Sequence, residues 1–189
     1  INDNNIKGDI VETGVFRGAN LFLINNFLNK SNIDKKIYAY DTYAGQPEPS
    51  NLDFDLKGTS MIDKFSDLKK KNIIPVYCSL EKVKENIIKY SINDLSKIIF
   101  VKGKVEDTLD DERNIPSQIS LLRLDTDFHD SVKKSLEILY PKLMSGGVLI
   151  IDDYGHFKGA KLAVDNYFKD KQKIWMHRVD YTCRLIIKP

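Results

Sequence analysis

The sequence predicts an α/β fold in which helices cover both faces of a doubly wound, mostly parallel sheet. Short apolar segments alternate with amphipathic segments along the 189 residues, as strands do when crossover helices connect them. The strand-like segments are apolar on both faces, which is typical of buried parallel strands. The last two are too close together for a crossover helix, so we expect them to form an antiparallel hairpin.

The predicted strands are brief and rich in branched or aromatic residues, which favour extended backbone. Before the hairpin, they cover residues 8–12, 36–41, 97–101, 119–125 and 148–152. The hairpin strands are residues 173–179 and 183–188. We find no repeat and no linker that divides the chain, so we expect one domain over residues 1–189. Because the first residue is Ile1, we expect this domain to come from a longer chain.

The predicted helices lie between these strands and are recognised by apolar residues at helical spacing. Their apolar faces are Leu21, Ile24, Phe27 and Leu28; Met61, Phe65 and Leu68; Val83, Ile87 and Ile88; Val132, Leu136 and Leu139; and Leu162, Val164, Tyr167 and Phe168. Thr59 or Ser60, and Ser79, are candidate N-caps because a hydroxyl can accept from the first free amides. Pro141 marks a helix end.

A long connection over residues 43–58 contains Gly45, Pro47 and Pro49 and shows little periodicity. Connections of this length are often active-site lids. We therefore expect a mobile loop, carrying Tyr43, Glu48, Asp53 and Asp55, that closes over the cofactor and the substrate and excludes water.

The composition excludes several classes of protein. The formal net charge is +2, from 29 Lys and Arg against 27 Asp and Glu, which argues against a nucleic-acid binder. The longest apolar run, residues 148–151, is too short to span a bilayer.

The polar start suggests no signal peptide, so we expect a cytoplasmic protein. Cys78 and Cys183 form no metal-binding spacing, and we expect them to be reduced and buried.

Carboxylates stand at the ends of four predicted strands: Glu12, Asp41, Asp125 and Asp152. In open α/β sheets, ligands bind beyond the carboxyl ends of the strands. Gly14 and Gly18 follow the first strand in a G-x-x-x-G spacing that differs from the dinucleotide pattern, which disfavours a nicotinamide dehydrogenase. An acidic residue at the second strand end can accept hydrogen bonds from ribose hydroxyls.

The strongest local signal is a set of aspartates at two strand ends: Asp125, Asp127, Asp152 and Asp153. Adjacent parallel strands lie about 4.8 Å apart, so these carboxylates can converge. Without a cation they would repel one another. Hard oxygen ligands suit Mg²⁺ or a similar divalent ion, and the sequence therefore predicts a metal site.

Several motifs together resemble the macrocin O-methyltransferase (TylF/MycF-type) family, in family order and over residues 8–168. They are VETGVFRG (11–18), DTYAGQP (41–47), FVKG with EDTL (100–109), LRLDTD with Ser131 (122–131), LYP (139–141) and GGVLIIDDYG (146–155). The resemblance implies an S-adenosylmethionine-dependent and Mg²⁺-dependent O-methyltransferase that acts on sugar hydroxyls. It also implies a seven-stranded Rossmann-like sheet whose last strands are antiparallel.

The resemblance assigns site residues by position. The cofactor residues are Glu12, Thr13, Gly14, Val15, Arg17 and Gly18 around the methionine part, Asp41 and Thr42 at the ribose, Val105 and Glu106 near the adenine, and Asp125. The metal ligands are Asp125, Asp152 and Asp153, and Asp127 is the general base. The expected partner is a small sugar-containing substrate, and a homo-oligomer is left open.

The sequence departs from the family pattern at Phe16, Ala19 and His129, where the family usually has Trp, Gly and Tyr. His129 stands beside the aspartates and is therefore a second candidate for the base; His156 is a third. Two alternatives to a sugar O-methyltransferase remain. One is a methyltransferase for a catechol-like phenol, and the other is a cofactor-binding module without activity inside a glycan-assembly protein.

Overall fold

The computed structural model describes residues 5–90, 94–171 and 174–189. Its strands are β1 (Asp9–Thr13), β2 (Ile37–Asp41), β3 (Ile98–Lys102), β4 (Ile119–Leu124), β5 (Leu143–Ile151), β6 (His177–Arg178) and β7 (Arg184–Ile187). Its helices are α1 (Ala19–Lys30), α2 (Met61–Lys70), α3 (Leu80–Tyr90), α4 (Val105–Thr108), α5 (His129–Leu139) and α6 (Lys158–Phe168). Lys173, the predicted start of the hairpin, lies outside the described residues.

The strands form one seven-stranded sheet in the order β3-β2-β1-β4-β5-β7-β6. The strands from β1 to β5 pair in parallel, whereas β7 is antiparallel to both β5 and β6. This confirms the predicted α/β class, the mostly parallel sheet and the terminal hairpin.

Two apolar cores lie on the two faces of the sheet, and the helices cover them with their apolar sides. On one face, α1 and α3 bury Leu21 and Ile87. On the other face, α5 and α6 bury Leu136 and Val164. Three residues of the predicted apolar faces, Phe27, Ile88 and Leu162, are exposed instead. Phe27 lines an apolar surface groove with Ile10 of β1 and Leu121 of β4.

The predicted caps and cysteine states agree with the structure. The Ser60 hydroxyl accepts from the Asp63 amide at the start of α2, and the Ser79 hydroxyl accepts from the Lys82 amide beside α3. Cys78 and Cys183 are both free and buried.

The strand order reverses at β1, and this position creates the crevice where a ligand can bind. Thr13 of β1 is in register with Tyr40 of β2 and Leu124 of β4, and Leu124 is in register with Ile151 of β5. The residues that follow these strands therefore meet at one edge of the sheet.

The connection between β2 and α2 differs from the expected free flap. Its second half forms isolated β-bridges, from Phe54 to Ser60 and from Asp55 to Phe157. The side chains of Tyr43, Asp53 and Asp55 are buried in the protein and do not line the cavity at the carboxyl edge of the sheet. Closure of this loop over a ligand stays a prediction.

Candidate active site

A cavity of about 270 Å³ opens at the carboxyl edge of the sheet, beside the crossover at β1. Its walls come from the loops that follow β1, β2, β3 and β4, as expected at a topological switch point. The lining residues are Gly14, Phe16, Tyr40, Asp41, Thr42, Gly45, Gln46, Pro47, Val76, Gly103, Lys104, Val105, Glu106, Asp125, Thr126, Asp127 and Ser131.

Three half-buried carboxylates form a cluster at this cavity: Asp125, Asp127 and Asp153. One oxygen of each lies within 4.8 Å of the others. The pKa of each is raised, first because burial removes water from the charged form and then because the neighbouring carboxylates repel one another. Asp153 Oδ2 is buried and has no hydrogen-bond partner. Such a cluster is suited to hold a hard divalent cation.

The fourth aspartate, Asp152, stands outside this cluster and is held by Arg123 of β4. Arg123 Nη2 donates to Asp152 Oδ2 over 2.8 Å, and Nη1 donates to Asp125 Oδ2 over 2.6 Å and to Glu12 Oε1 over 2.9 Å. The side chain of Arg123 is 17% exposed. Its guanidinium thus supplies a fixed positive charge between the carboxylates of Glu12, Asp125 and Asp152.

Asp127 has a strained backbone and contacts the loop that follows β2. Its φ is 63°, a left-handed conformation that is uncommon for residues other than glycine, although Asn and Asp adopt it more often than the rest. The Gln46 amide donates a hydrogen bond to Asp127 Oδ2. Strain of this kind is concentrated at functional sites, which agrees with the position of Asp127 in the cavity wall.

Six of the predicted cofactor residues line the cavity: Gly14, Asp41, Thr42, Val105, Glu106 and Asp125. Gly14 has a φ of 85°, and a Cβ atom there would lie 1.8 Å from the Asp125 carbonyl oxygen, so only glycine fits. Asp41 Oδ2 accepts from the backbone amides of Val15 and Phe16 at 2.7 and 3.0 Å. Asp41 therefore also fixes the loop after β1.

Glu12, Thr13 and Val15 are buried beside the cavity but do not line it. Glu12 Oε1 accepts from Asn20 and Arg123, whereas Oε2 is buried and has no partner. Burial is the main cause that raises the pKa of Glu12 to about 7. A buried carboxylate with an open acceptor oxygen fits a ligand that carries a positive charge or a donor group.

Arg17 and Gly18 are not brought to the cavity. The Arg17 guanidinium lies 5.1 Å from the centre of the Phe16 ring and lines a separate surface groove with Lys82. A Cβ atom at Gly18 would lie 3.0 Å from Val83 Cγ1, so this glycine allows α1 and α3 to approach each other. Their predicted cofactor contacts stay predictions.

The two candidate histidines also lie outside the cavity wall. His129 Nδ1 is 2.7 Å from Asp130 Oδ1, and the His129 amide donates to Asp53 Oδ1 over 2.8 Å. His156 Nδ1 is 3.3 Å from the Tyr181 hydroxyl. Of the candidate bases, Asp127 is the one that lines the cavity.

The sequence reasoning missed Arg123, Gln46 and the anchoring role of Asp53. A single charged residue within the apolar strand LLRL was a usable signal for Arg123, because an unpaired charge is not tolerated in a buried strand. Gln46 stands in a loop without periodicity, so no local pattern indicated its contact.

The chain is similar to proteins of known activity. The family model of the macrocin O-methyltransferases (TylF) matches residues 1–187. Demethyldecarbamoylnovobiocin O-methyltransferase from Streptomyces niveus is 32% identical over 166 residues, which cover 87% of this chain and 59% of the relative. The chain is 30% identical over 163 residues to 8-demethyl-8-(2,3-dimethoxy-alpha-L-rhamnosyl)-tetracenomycin-C 4'-O-methyltransferase from Streptomyces olivaceus, covering 86% and 58%.

The solved structure of the O-methyltransferase NovP superposes with a TM-score of 0.83 at 29% identity and covers 98% of this chain and 74% of that chain. The chain spans about three fifths of the length of the two Streptomyces relatives named above. Within the described residues, every helix is too short or too polar to cross a membrane.

Proposed function

The chain belongs to the macrocin O-methyltransferase family, whose model it matches over residues 1–187, and from this membership we propose that it methylates a sugar hydroxyl with S-adenosylmethionine and a divalent cation. One observation carries the proposal. A single cavity is lined by Asp41, Val105 and Glu106 on one side and by Asp125 and Asp127 on the other. It therefore offers acceptors for a nucleoside next to a carboxylate cluster that suits a cation.

The donor set supports S-adenosylmethionine as the cofactor. Glu12 Oε2 and Glu106 Oε2 are buried acceptors without partners, and the cofactor carries an amino group and an adenine amine that can donate to them. We assign Glu12 and Gly14 to the methionine part, Asp41 and Thr42 to the ribose, and Val105 and Glu106 to the adenine. When bound, this cofactor supplies the methyl group on its sulfonium.

The carboxylates support Mg²⁺ or a similar ion. Asp125 and Asp153 belong to the cluster whose pKa values are raised first by burial and then by the neighbouring carboxylates. We propose Asp125, Asp152 and Asp153 as the residues that hold the ion. When bound, such an ion lowers the pKa of a hydroxyl group and fixes its position.

Asp127 acts as the general base in this proposal. It lines the cavity, its pKa is raised to about 7 mainly by burial and then by Asp125, and a base with a pKa near neutrality transfers protons efficiently. Gln46 donates to one of its oxygens, which orients the carboxylate. The Asp127 carboxylate accepts the proton of the acceptor hydroxyl as the methyl group is transferred.

The acceptor class follows from the relatives. The name of the Streptomyces olivaceus relative describes 4'-O-methyl transfer on a tetracenomycin that carries a rhamnosyl group. We therefore propose a nucleotide-linked sugar, a glycan or a glycosylated natural product as the acceptor.

Methyl transfer to a panel of nucleotide sugars, glycosides and catechols, followed by mass spectrometry, tests the proposal. We expect a mass increase of one methyl group on a sugar-containing acceptor in Mg²⁺, and loss of this product in EDTA. Preference for a catechol would establish the phenolic alternative. Full activity in EDTA would remove the cation from the mechanism, and failure to bind S-adenosylhomocysteine would contradict the cofactor assignment.

A further inference from the structure

Arg123 lies at the centre of an ion-pair network that connects the two halves of the candidate site. Its two terminal nitrogens bind three carboxylates: Glu12 from β1, Asp125 after β4 and Asp152 after β5. The distances range from 2.6 to 2.9 Å. Glu12 belongs to the proposed cofactor site, whereas Asp125 and Asp152 belong to the proposed cation site.

We propose that Arg123 is a positioning residue that holds Glu12, Asp125 and Asp152 in the orientations that the cofactor and the cation require, and that it thereby couples the binding of the two. This inference rests on the proposed function, because it assigns no ligand of its own. It assigns a role to Arg123, a residue of β4 whose side chain contacts carboxylates from three strand ends.

The positive charge of Arg123 compensates only part of the negative charge at the candidate site. Three carboxylates share a single guanidinium, while Asp127 and Asp153 have no ion pair among the described residues. Arg123 therefore compensates part of the negative charge and leaves enough for a cation. It also fixes one oxygen of Glu12, whose other oxygen is buried without a partner.

The geometry requires arginine at this position. Two carboxylates share Nη1 and a third binds Nη2, so the planar fork fixes three directions at once. A lysine ammonium carries the same charge as a compact point and does not reproduce this fork. Arg123→Lys therefore keeps the positive charge but removes the geometry that fixes the positions of the three carboxylates.

Coupling follows because each ligand contacts a carboxylate that Arg123 holds. A cofactor that fixes Glu12 also orders Arg123, and the ordered guanidinium holds Asp125 and Asp152 for the cation. By thermodynamic linkage, the cation must improve cofactor binding by the same factor. The coupling is thus measurable from either ligand.

Isothermal titration calorimetry with Arg123→Lys tests this inference. In the wild-type protein, we expect S-adenosylhomocysteine to bind more tightly with Mg²⁺ than without it. In Arg123→Lys, we expect each affinity to fall about 10-fold, as for the loss of one hydrogen bond between charged groups, and the Mg²⁺ effect on cofactor binding to disappear. Arg113→Lys is the matched control, because Arg113 is exposed and pairs with Asp111 away from the cavity; it should retain both affinities and the coupling.

Unchanged affinities and unchanged coupling in Arg123→Lys would overturn the inference. If this variant does not fold, Glu12→Gln is measured in its place. The pH is kept above the pKa of Glu12 of about 7, so that the wild-type carboxylate is charged. Without that charge, a bound cofactor no longer orders Arg123, so we expect the effect of Mg²⁺ on S-adenosylhomocysteine binding to disappear; an unchanged effect would refute the coupling. A wild-type protein that binds neither ligand would instead contradict the proposed function.

Discussion

At the scale of single residues, Asp127 combines the properties that a general base needs. It lines the cavity, the Gln46 amide orients it, and its pKa is raised by burial and by the neighbouring Asp125. Its positive φ turns the backbone directly before α5, which sets the direction of the side chain. These features come from different parts of the chain and meet at one carboxylate.

Asp127→Asn should keep the cavity and remove the base. We expect kcat to fall by about 10²- to 10⁴-fold, while calorimetry shows nearly unchanged binding of S-adenosylhomocysteine. Asp110→Asn is a matched control, since Asp110 is exposed and pairs with Lys134; its kcat should stay at the wild-type value. If turnover survives in Asp127→Asn and is lost in His129→Ala, the base is His129.

At the scale of elements, Asp53 anchors the loop between β2 and α2 to two helices. Its carboxylate accepts from the His129 amide at the start of α5 and from the Ser50 amide and hydroxyl, each at 2.8 Å. A Cβ atom at Gly159 of α6 would lie 2.0 Å from Asp53 Oδ1. The same loop carries Gln46, so this anchor lies at the base of the segment that contacts Asp127.

Gly159→Ala should destabilise the protein although alanine is the better helix former by about 1 kcal/mol. The added methyl group displaces Asp53, and we expect the unfolding free energy to fall by about 1–3 kcal/mol in denaturant titrations. Limited proteolysis should become faster within residues 43–60.

The Asp53→Ala background is the control for Gly159→Ala. Without the carboxylate the added methyl group keeps only a 3.2 Å contact with His129 Cβ, so most of the cost of Gly159→Ala should disappear in a double-mutant cycle. An equal cost in both backgrounds would show that the methyl group acts elsewhere.

At the scale of the whole molecule, the fold concentrates negative charge in a chain of net charge +2. The parallel strands β4 and β5 end side by side at the switch point beside β1. The aspartates that follow them must therefore meet, whatever their repulsion. In the absence of a cation, this repulsion opposes folding.

Thermal stability without added metal should decrease as the pH rises. The carboxylates of Asp125, Asp127 and Asp153 have pKa values raised to about 7 or 8, against about 3.9 in the unfolded chain. Between these values the folded state binds more protons than the unfolded state, so the unfolding free energy falls with pH in that window.

Differential scanning fluorimetry from pH 5 to pH 9 measures this effect. We expect the Tm to decrease by a few degrees over that interval in EDTA, and Mg²⁺ to restore it at the high end because a bound cation stabilises the ionised form. The variant Asp125→Asn/Asp153→Asn should show a weaker pH dependence, because the buried Asp127 still titrates, and should lose the response to Mg²⁺. A wild-type Tm that rises with pH in EDTA would contradict the repulsion.

Sequence patterns alone predicted the α/β class, the parallel sheet, the terminal hairpin and the set of strand-end carboxylates. These features depend on local periodicity and on the rule that parallel strands end at a common edge. The cavity residues Gly14, Asp41, Val105, Glu106 and Asp125 agree with the same rule, because each stands at the carboxyl end of a strand or within about four residues of it.

Only the tertiary structure decided where the side chains point and what they contact. Arg123 and Glu12 are 111 positions apart, and Gln46 and Asp127 are 81 apart; contacts of this range leave no trace in a local pattern. Asp152 and Asp153 are neighbours in the chain, yet one faces Arg123 and the other joins the carboxylate cluster. The reason is physical: periodicity determines which residues form a strand, whereas register and turn geometry determine the partner of each side chain at its end.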